Sequence, residues 1–400
     1  MNDKSLYNSN LIILGNITSR IGTSVFNYIN QVLITTLFPQ NPLLLSFYLS
    51  SENIINIIFN LFAGAIIDNS NRKKILIITD TFSSLACFIG FFFLKNAYIY
   101  IAILLTNLAL TLARSFNTPV YNAIVKDTIN SNFIEIHYSR YTSLKYLFLT
   151  ISPMIGFFVW QYFGINGGFL FNGISFLLSA ILENFIIIIK KEEIKTLKIS
   201  VAKNIINGFR YIVKEKQILN LVIFCAISNF LLSGYFLVLP YLNNYYINSI
   251  SNFYGKVLIA QSLGSILFSL LNLKLDLKNN LNILCFSMIC SGLSIFFIPI
   301  FNIFLRNSYI ELFPHLLYGG FMTLFDIKFF SMIQNKVDYR YVGRIMSIIF
   351  TGAVLFMPVG SIFWGKLLNL NNILDLLYYI GFFIIIFSIF FKFIYFKNEI

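Results

Sequence analysis

Charge is scarce in this 400-residue chain: Asp, Glu, Lys and Arg make up 11% of it, against 58% hydrophobic residues. With a mean hydropathy of +0.77, that scarcity excludes a soluble globular protein of ordinary composition. Histidine is limited to His137 and His315, which have no spacing partner for a metal site or a catalytic pair. Cys87, Cys225, Cys285 and Cys290 all fall in apolar stretches and form no CxxC pattern, so neither a disulfide framework nor a zinc site is indicated. Long polar stretches are missing too, apart from one near residues 190–216. No enzyme motif, cofactor motif or sizeable interfacial loop emerges. What remains is membrane transport or membrane-embedded chemistry.

What the chain has is apolar runs. They fall near residues 10–37, 43–67, 75–95, 97–122, 141–163 and 166–189, and again near 217–242, 253–273, 280–304, 309–335, 344–368 and 373–396. A spanning helix takes about 20 apolar residues, so the pattern predicts an all-α polytopic membrane protein of twelve spans in two six-helix halves. The predicted domains are 1–189, a linker over 190–216, and 217–400. Arg20, Asn27, Asn30 and Gln31 interrupt the first stretch, and no small-residue cleavage site follows it, which reads as a retained span rather than a secretory signal.

The formal charge of +13 reports topology rather than nucleic-acid binding. With the N-terminus placed in the cytoplasm, inner segments collect most of the Lys and Arg, and the outer turns keep little beyond Lys95 and Arg306. Both termini are then cytoplasmic. The linker carries eight of the cations, with Val201, Ala202, Ile205, Ile206, Phe209, Ile212 and Val213 at helical spacing, which predicts an amphipathic helix on the inner leaflet. The outer turns at 38–42, 163–166 and 369–372 leave no room for an extracellular recognition domain, so recognition is expected within the bundle.

Ionisable residues inside spans are functional candidates by default. At a rise of about 1.5 Å per residue, Arg20 sits near the midplane of span one. Glu52, sixteen residues before Asp68, sits in the outer half of span two. An Arg20–Glu52 pair reads as a proton-coupling site or as a structural ion pair. Asn27 and Gln31 add polar groups to the same cavity or bond between helices. Asp80 and Arg114 lie in the inner thirds of spans three and four, at a depth that allows a pair across adjacent helices, as gate or as scaffold. Glu183, Asp326 and Lys328 are placed toward the inner charge network.

One run combines several of these signals: Gly64-Ala-Ile-Ile-Asp68-Asn-Ser-Asn-Arg72-Lys73-Lys74. A glycine in an apolar helix permits close approach, and Asp68 ends that helix beside three cations. Charge placement alone fits either a topological turn or a gate in which Asp68 meets Arg72 or another helix N-terminus.

The run and the six-plus-six plan together resemble the major facilitator superfamily. Ala63–Asp68 with Arg72, Lys73, Lys74 and Asp80 is similar to the branch that includes macrolide-efflux proteins and the enterobactin exporter. So are Phe116-Asn117-Thr118-Pro119, Ser152-Pro153-Met154-Ile155-Gly156, the stretch Asn172–Ala180, and Val342-Gly343-Arg344-Ile345-Met346-Ser347. The resemblance implies alternating access by rocking halves around a central cavity, with an amphipathic small molecule exported against protons across the inner membrane by a monomer among membrane lipids. It further implies that Gly64 packs span two on span eleven, that Asp68, Arg72 and Lys73 support the inner gate, and that Pro153 and Gly156 shape the span-five bend of exporters. Asn69 stands where a basic residue is usual, Ser152 where a glycine is, and the corresponding loop near Lys274, Asp276 and Lys278 is degenerate. A lipid or nutrient permease of the same fold, or a sensor or scaffold that moves no solute, are the alternatives.

Overall fold

The computed structural model describes residues 3–68, 71–94, 98–189, 209–246, 252–275, 281–305, 309–336, 348–349, 351–369 and 372–399. Every regular element among them is helical: α1 (Asp3–Leu37), α2 (Pro42–Asp68), α3 (Arg72–Phe92), α4 (Ile99–Thr128), α5 (Ser131–Asn184), α6 (Lys216–Val238), α7 (Phe253–Leu275), α8 (Leu281–Leu305), α9 (Leu312–Lys336), α10 (Met357–Leu367) and α11 (Ile373–Glu399). Nine helices among the described residues are long and apolar enough to cross a membrane.

The difference from twelve has local causes. Asn, Ser, Thr and Arg20 dilute the apolar content of α1. Spans five and six are fused in α5, whose two arms meet at Gly164, inside the turn expected at 163–166. Gly164 has φ +56°, and no atom stands within 4 Å of where a Cβ would lie, so the left-handed backbone rather than space requires glycine there. The α10 segment belongs to a shorter apolar helix, Thr351–Leu367.

The helices are inverted relative to those of a water-soluble protein. In α3, Thr79, Asp80, Ser83, Ser84 and Cys87 are buried, while Ile78, Phe82, Leu85 and Ile89 are exposed. A helix that hides hydroxyls and a carboxyl and shows isoleucine and phenylalanine is suited to lipid, where polar groups must find partners inside the bundle.

Two compact units result, one of Met1–Leu33 with Ile54–Lys203 and one of Ile34–Asn53 with Asn204–Ile400. In the first, α1 meets the second arm of α5 through glycines. A Cβ on Gly15 would stand 3.2 Å from Ser179 Oγ, and one on Gly22 would run into Ser175 and Asn172. On the other side of that arm, Ser84 Oγ of α3 donates to the Gly173 carbonyl at 2.8 Å. The stretch Asn172–Ala180 is therefore a small-residue strip that lets α1 and α3 approach it closely.

The second unit uses the same device. Gly264 of α7 abuts the Leu316 carbonyl and Gly319 of α9 abuts that of Gln261, while Gly292 of α8 and Gly381 of α11 each meet the other's carbonyl. Segment Ile34–Asn53 packs within this unit, with Asn244 Nδ2 donating to the Thr35 carbonyl at 2.8 Å and Ser50 Oγ to that of Pro358 at 3.1 Å. The linker's residues 190–208 lie outside the described residues. The remainder of the amphipathic pattern is helical from Phe209, with Phe209 and Val213 exposed and Ile212 buried.

Candidate functional site

The polar run before α3 is organised by Asn71, whose side chain accepts from Lys74 N at 3.1 Å and caps the helix. The cap fixes Arg72, Lys73 and Lys74 in the first turn, where the helix dipole disfavours cations. Two of them have compensating partners. Arg72 Nη1 reaches Asp127 Oδ1 at the end of α4 at 2.6 Å, with both side chains largely buried. Lys73 Nζ donates to the carbonyls of Asn184 and Ile186 at 2.7 and 2.9 Å, at the C-terminal end of α5, where a cation is favourable.

Fully buried Asn8 completes this end of the unit. Its amide nitrogen donates to the carbonyls of Thr128 and Ile187 at 2.8 and 2.7 Å, and its oxygen accepts from Ile187 N at 2.9 Å. The beginnings of α1 and α3 and the ends of α4 and α5 are thus joined by the side chains of Asn8, Arg72, Lys73 and Asp127. Asn8→Ala is expected to destabilise the protein by roughly 1–3 kcal/mol, because it strands the buried Thr128 carbonyl and leaves the part-buried Ile187 N–H and carbonyl to water. The thermal midpoint of purified protein checks this, and an unchanged midpoint would contradict it.

Asp80 does not pair with Arg114. Asn117 Nδ2 donates to Asp80 Oδ1 at 2.8 Å, and no ion pair joins Asp80 to Arg114 among the described residues. Matching depth put Arg114 and Asp80 at one level, but Asn117, three residues further along α4, carries the side chain that reaches Asp80. Glu183 is buried at the end of α5, within electrostatic reach of Asp80.

Arg20 is half-buried in α1 and donates through Nε to Asn16 Oδ1 at 2.6 Å, an atom that also accepts from Tyr141 Oη at 2.9 Å. Nearby, His137 is buried in α5. Ser9 Oγ lies 2.9 Å from its Nδ1 and Tyr121 Oη 3.3 Å from its Nε2. Burial, with Arg140 as a second cause, lowers His137 to about 4, so the imidazole is neutral at physiological pH. Asn27 and Arg114 belong to the same unit as Arg20, as does Gln31, and all three are half-buried, whereas Glu52 belongs to the second unit.

Pro153 and Gly156 are both buried in the first arm of α5. Pro153 removes one helical hydrogen bond. A Cβ on Gly156 would stand 2.7 Å from Tyr28 Cδ1, so the α5 backbone lies against the Tyr28 ring of α1. Gly64 and Asp68 close the helical run of α2, and their surroundings lie outside the described residues, as do Asn69, Lys274, Asp276, Lys278 and the stretch Val342–Ser347.

A polar cluster that the sequence did not suggest joins Tyr246, beyond the end of α6, to Asn302 near the end of α8 and Glu311 just before α9. Glu311, 1% exposed, accepts from Tyr246 Oη and, at 3.1 Å, from Asn302 Nδ2, which also donates to Tyr246 Oη at 2.8 Å. Burial pushes the Glu311 carboxyl up to about 7. The folded state then holds a proton that the unfolded state has released, and stability falls as pH rises from about 4.5 to about 7. Glu311→Gln is expected to flatten that fall in thermal midpoint, and an unchanged slope would contradict it. No group of three or more His, Cys, Asp or Glu suited to a metal ion occurs among the described residues.

Known proteins supply the remaining comparison. A point mutant of the nucleoside transporter NupG superposes with a TM-score of 0.78 at 11% identity, covering 96% of this chain and 99% of its own. A bacterial homologue of the iron transporter ferroportin gives 0.73 at 16% identity, with 97% and 98% covered. A D-xylose-proton symporter gives 0.74 at 12%, with 97% of each chain covered. No curated protein matches the chain in sequence. The family model for the Major Facilitator Superfamily matches residues 12–361. With its helical spans and these neighbours, the chain belongs to the Major Facilitator Superfamily and is a multi-pass membrane protein with the fold of a secondary transporter.

Proposed function

We propose that the chain exports moderately large amphipathic molecules, of the drug, macrolide or siderophore type, in exchange for protons. The observation that carries this reading is the packing of Gly156 against Tyr28, two residues after Met154 and three after Pro153, in the motif that resembles the span-five bend of exporters. The resemblance to the macrolide-efflux and enterobactin-exporter branch supports the same direction. In this reading Gly64, Asp68, Arg72, Lys73 and Asp80 form the gate elements, and Arg20, Asn27, Gln31, Glu52 and Arg114 supply the cavity and its proton chemistry. The protein is a monomer of the inner membrane with both termini cytoplasmic and residues 190–216 as the linker.

Everted membrane vesicles offered several amphipathic dyes test the direction. The expected result is energy-dependent accumulation inside the vesicles. Transport only in right-side-out vesicles, toward the interior, would overturn the reading in favour of a nutrient or lipid permease.

A further inference from the structure

The chain leaves α5 along a path whose backbone groups are taken up by other elements of the first unit. At the end of the helix the bonds tighten to three-residue steps, with Phe185 N donating to the Leu182 carbonyl at 3.1 Å and Ile186 N to that of Glu183 at 3.2 Å. From Ile186 to Ile189 the backbone is no longer helical. The Asn184 and Ile186 carbonyls accept from Lys73 Nζ at 2.7 and 2.9 Å. Asn8 takes Ile187 from both sides, its Oδ1 accepting from the amide at 2.9 Å and its Nδ2 donating to the carbonyl at 2.7 Å. Ile189 N donates to the Asp127 carbonyl at 3.0 Å.

These partners hold peptide groups rather than side chains. The Asn8 amide exchanges both bonds with one residue, as a neighbouring β-strand would, and Lys73 puts a cation on carbonyls at a helix C-terminus, where it is favoured. Side chains add a single anchor. Ile186 is 2% exposed and joins the core of Ile12, Ile13, Val125 and Ile129, whereas Phe185, Ile187, Ile188 and Ile189 are exposed. A segment with one buried side chain, tied mainly by polar groups, belongs to the low-stability end of a fold and opens without the rest of it.

The ties converge on the start of α3. Lys73 supplies two of them, and Arg72 beside it holds the carboxylate of Asp127, the residue whose carbonyl takes Ile189 N. Any displacement of the first turn of α3 therefore draws on the bonds that keep residues 185–189 in place.

We infer that Phe185–Ile189 is a detachable strap, docked on the starts of α1 and α3 and the end of α4 with Lys73 as its latch. The first turn of α3 and the attachment of the chain that runs on into residue 190 are then released together. The release takes its role from the reading of Arg72 and Lys73 as gate elements, while the docking and its latch are measured without transport.

The test is residue-resolved hydrogen exchange of the purified full-length protein in lipid nanodiscs. The Ile187 and Ile189 amides are expected to be protected, yet to exchange faster than amides in the middle of α4. Lys73→Met should speed both by at least about tenfold, as loss of a charge-assisted pair of bonds implies, with the middle of α4 unchanged, and Lys73→Arg should keep most of the protection. Ile186→Ala should free the same two amides by removing the anchor, which keeps the test open if Lys73→Met folds poorly. Strap amides as slow as those of α4 would make the segment a fixed part of the fold, and unprotected ones would show that it does not dock. Either result overturns the inference, as does a Lys73→Met variant that speeds the strap no more than α4. A failure of the dye-export assay leaves these outcomes unchanged, so the two readings fall separately.

Discussion

Asp127→Ala is expected to lower transport on the order of tenfold, equivalent to about 1.4 kcal/mol in a coupled equilibrium, and to destabilise the purified protein as well. The Arg72–Asp127 pair is 2.6 Å long, with side chains 19% and 14% exposed, between a surface bridge of small value and a buried one whose breakage costs about 3–5 kcal/mol. A stability loss of about 1–3 kcal/mol follows from that intermediate position. The loss should come mainly from removing the charge partner that Asp127 gives the Arg72 guanidinium. Arg72→Ala in the Asp127→Ala background should therefore recover part of the stability, and exchanging the two charges should recover part of the transport. The double-mutant cycle reads this directly, and strictly additive losses would show that the pair does not act as a unit.

The second large effect is steric. A Cβ at Gly22 would stand 2.7 Å from both Asn172 Oδ1 and Ser175 Cβ and closer still to Ser175 Oγ. Neither neighbour can yield easily, since Ser175 Oγ is held on the Asn172 carbonyl at 2.8 Å and both side chains are buried. Gly22→Ala should cost about 1–3 kcal/mol by overpacking, while Gly22→Leu should prevent folded protein from accumulating. Size-exclusion profiles of fluorescently tagged protein distinguish the two. Ser175→Gly should rescue Gly22→Ala, and normal monodisperse protein from Gly22→Leu would contradict the packing account.

Much of this was legible in the residues. Apolar runs located the helices, and the break at 163–166 coincides with Gly164. The boundaries were less so: α5 begins at Ser131, ten residues before its apolar run, because Tyr121, His137 and Tyr141 pack together there and continue the helix beyond the stretch lipid requires. Side-chain partners were the least legible. Depth along a helix places a residue at a level but not on a face, which is why it allowed Arg114 as a partner of Asp80 and did not point to Asn117. Asn117 was visible as part of Phe116–Pro119, and its amide explains why that motif and Asp80 occur together.

Asp127 and Asn8 had weaker signals. Asp127 follows Lys126 at the edge of a span, like any solvated charge, and Asn8 is one asparagine among many in this chain. Only the convergence of four helix ends distinguishes them. Glu311 was hidden differently: it falls at the edge of the run near 309–335, and nothing in that run points to Tyr246 and Asn302, which enclose it.

The most direct measurement is flux in proteoliposomes of known orientation carrying an imposed pH gradient, screened with amphipathic drugs, macrolides and siderophores. Export is predicted to run against the substrate gradient, to reverse when the pH gradient is reversed, and to fall in Glu52→Gln more than the amount of reconstituted protein does. Flux of these substrates that ignores the pH gradient, or that occurs only inward, would contradict proton-driven export.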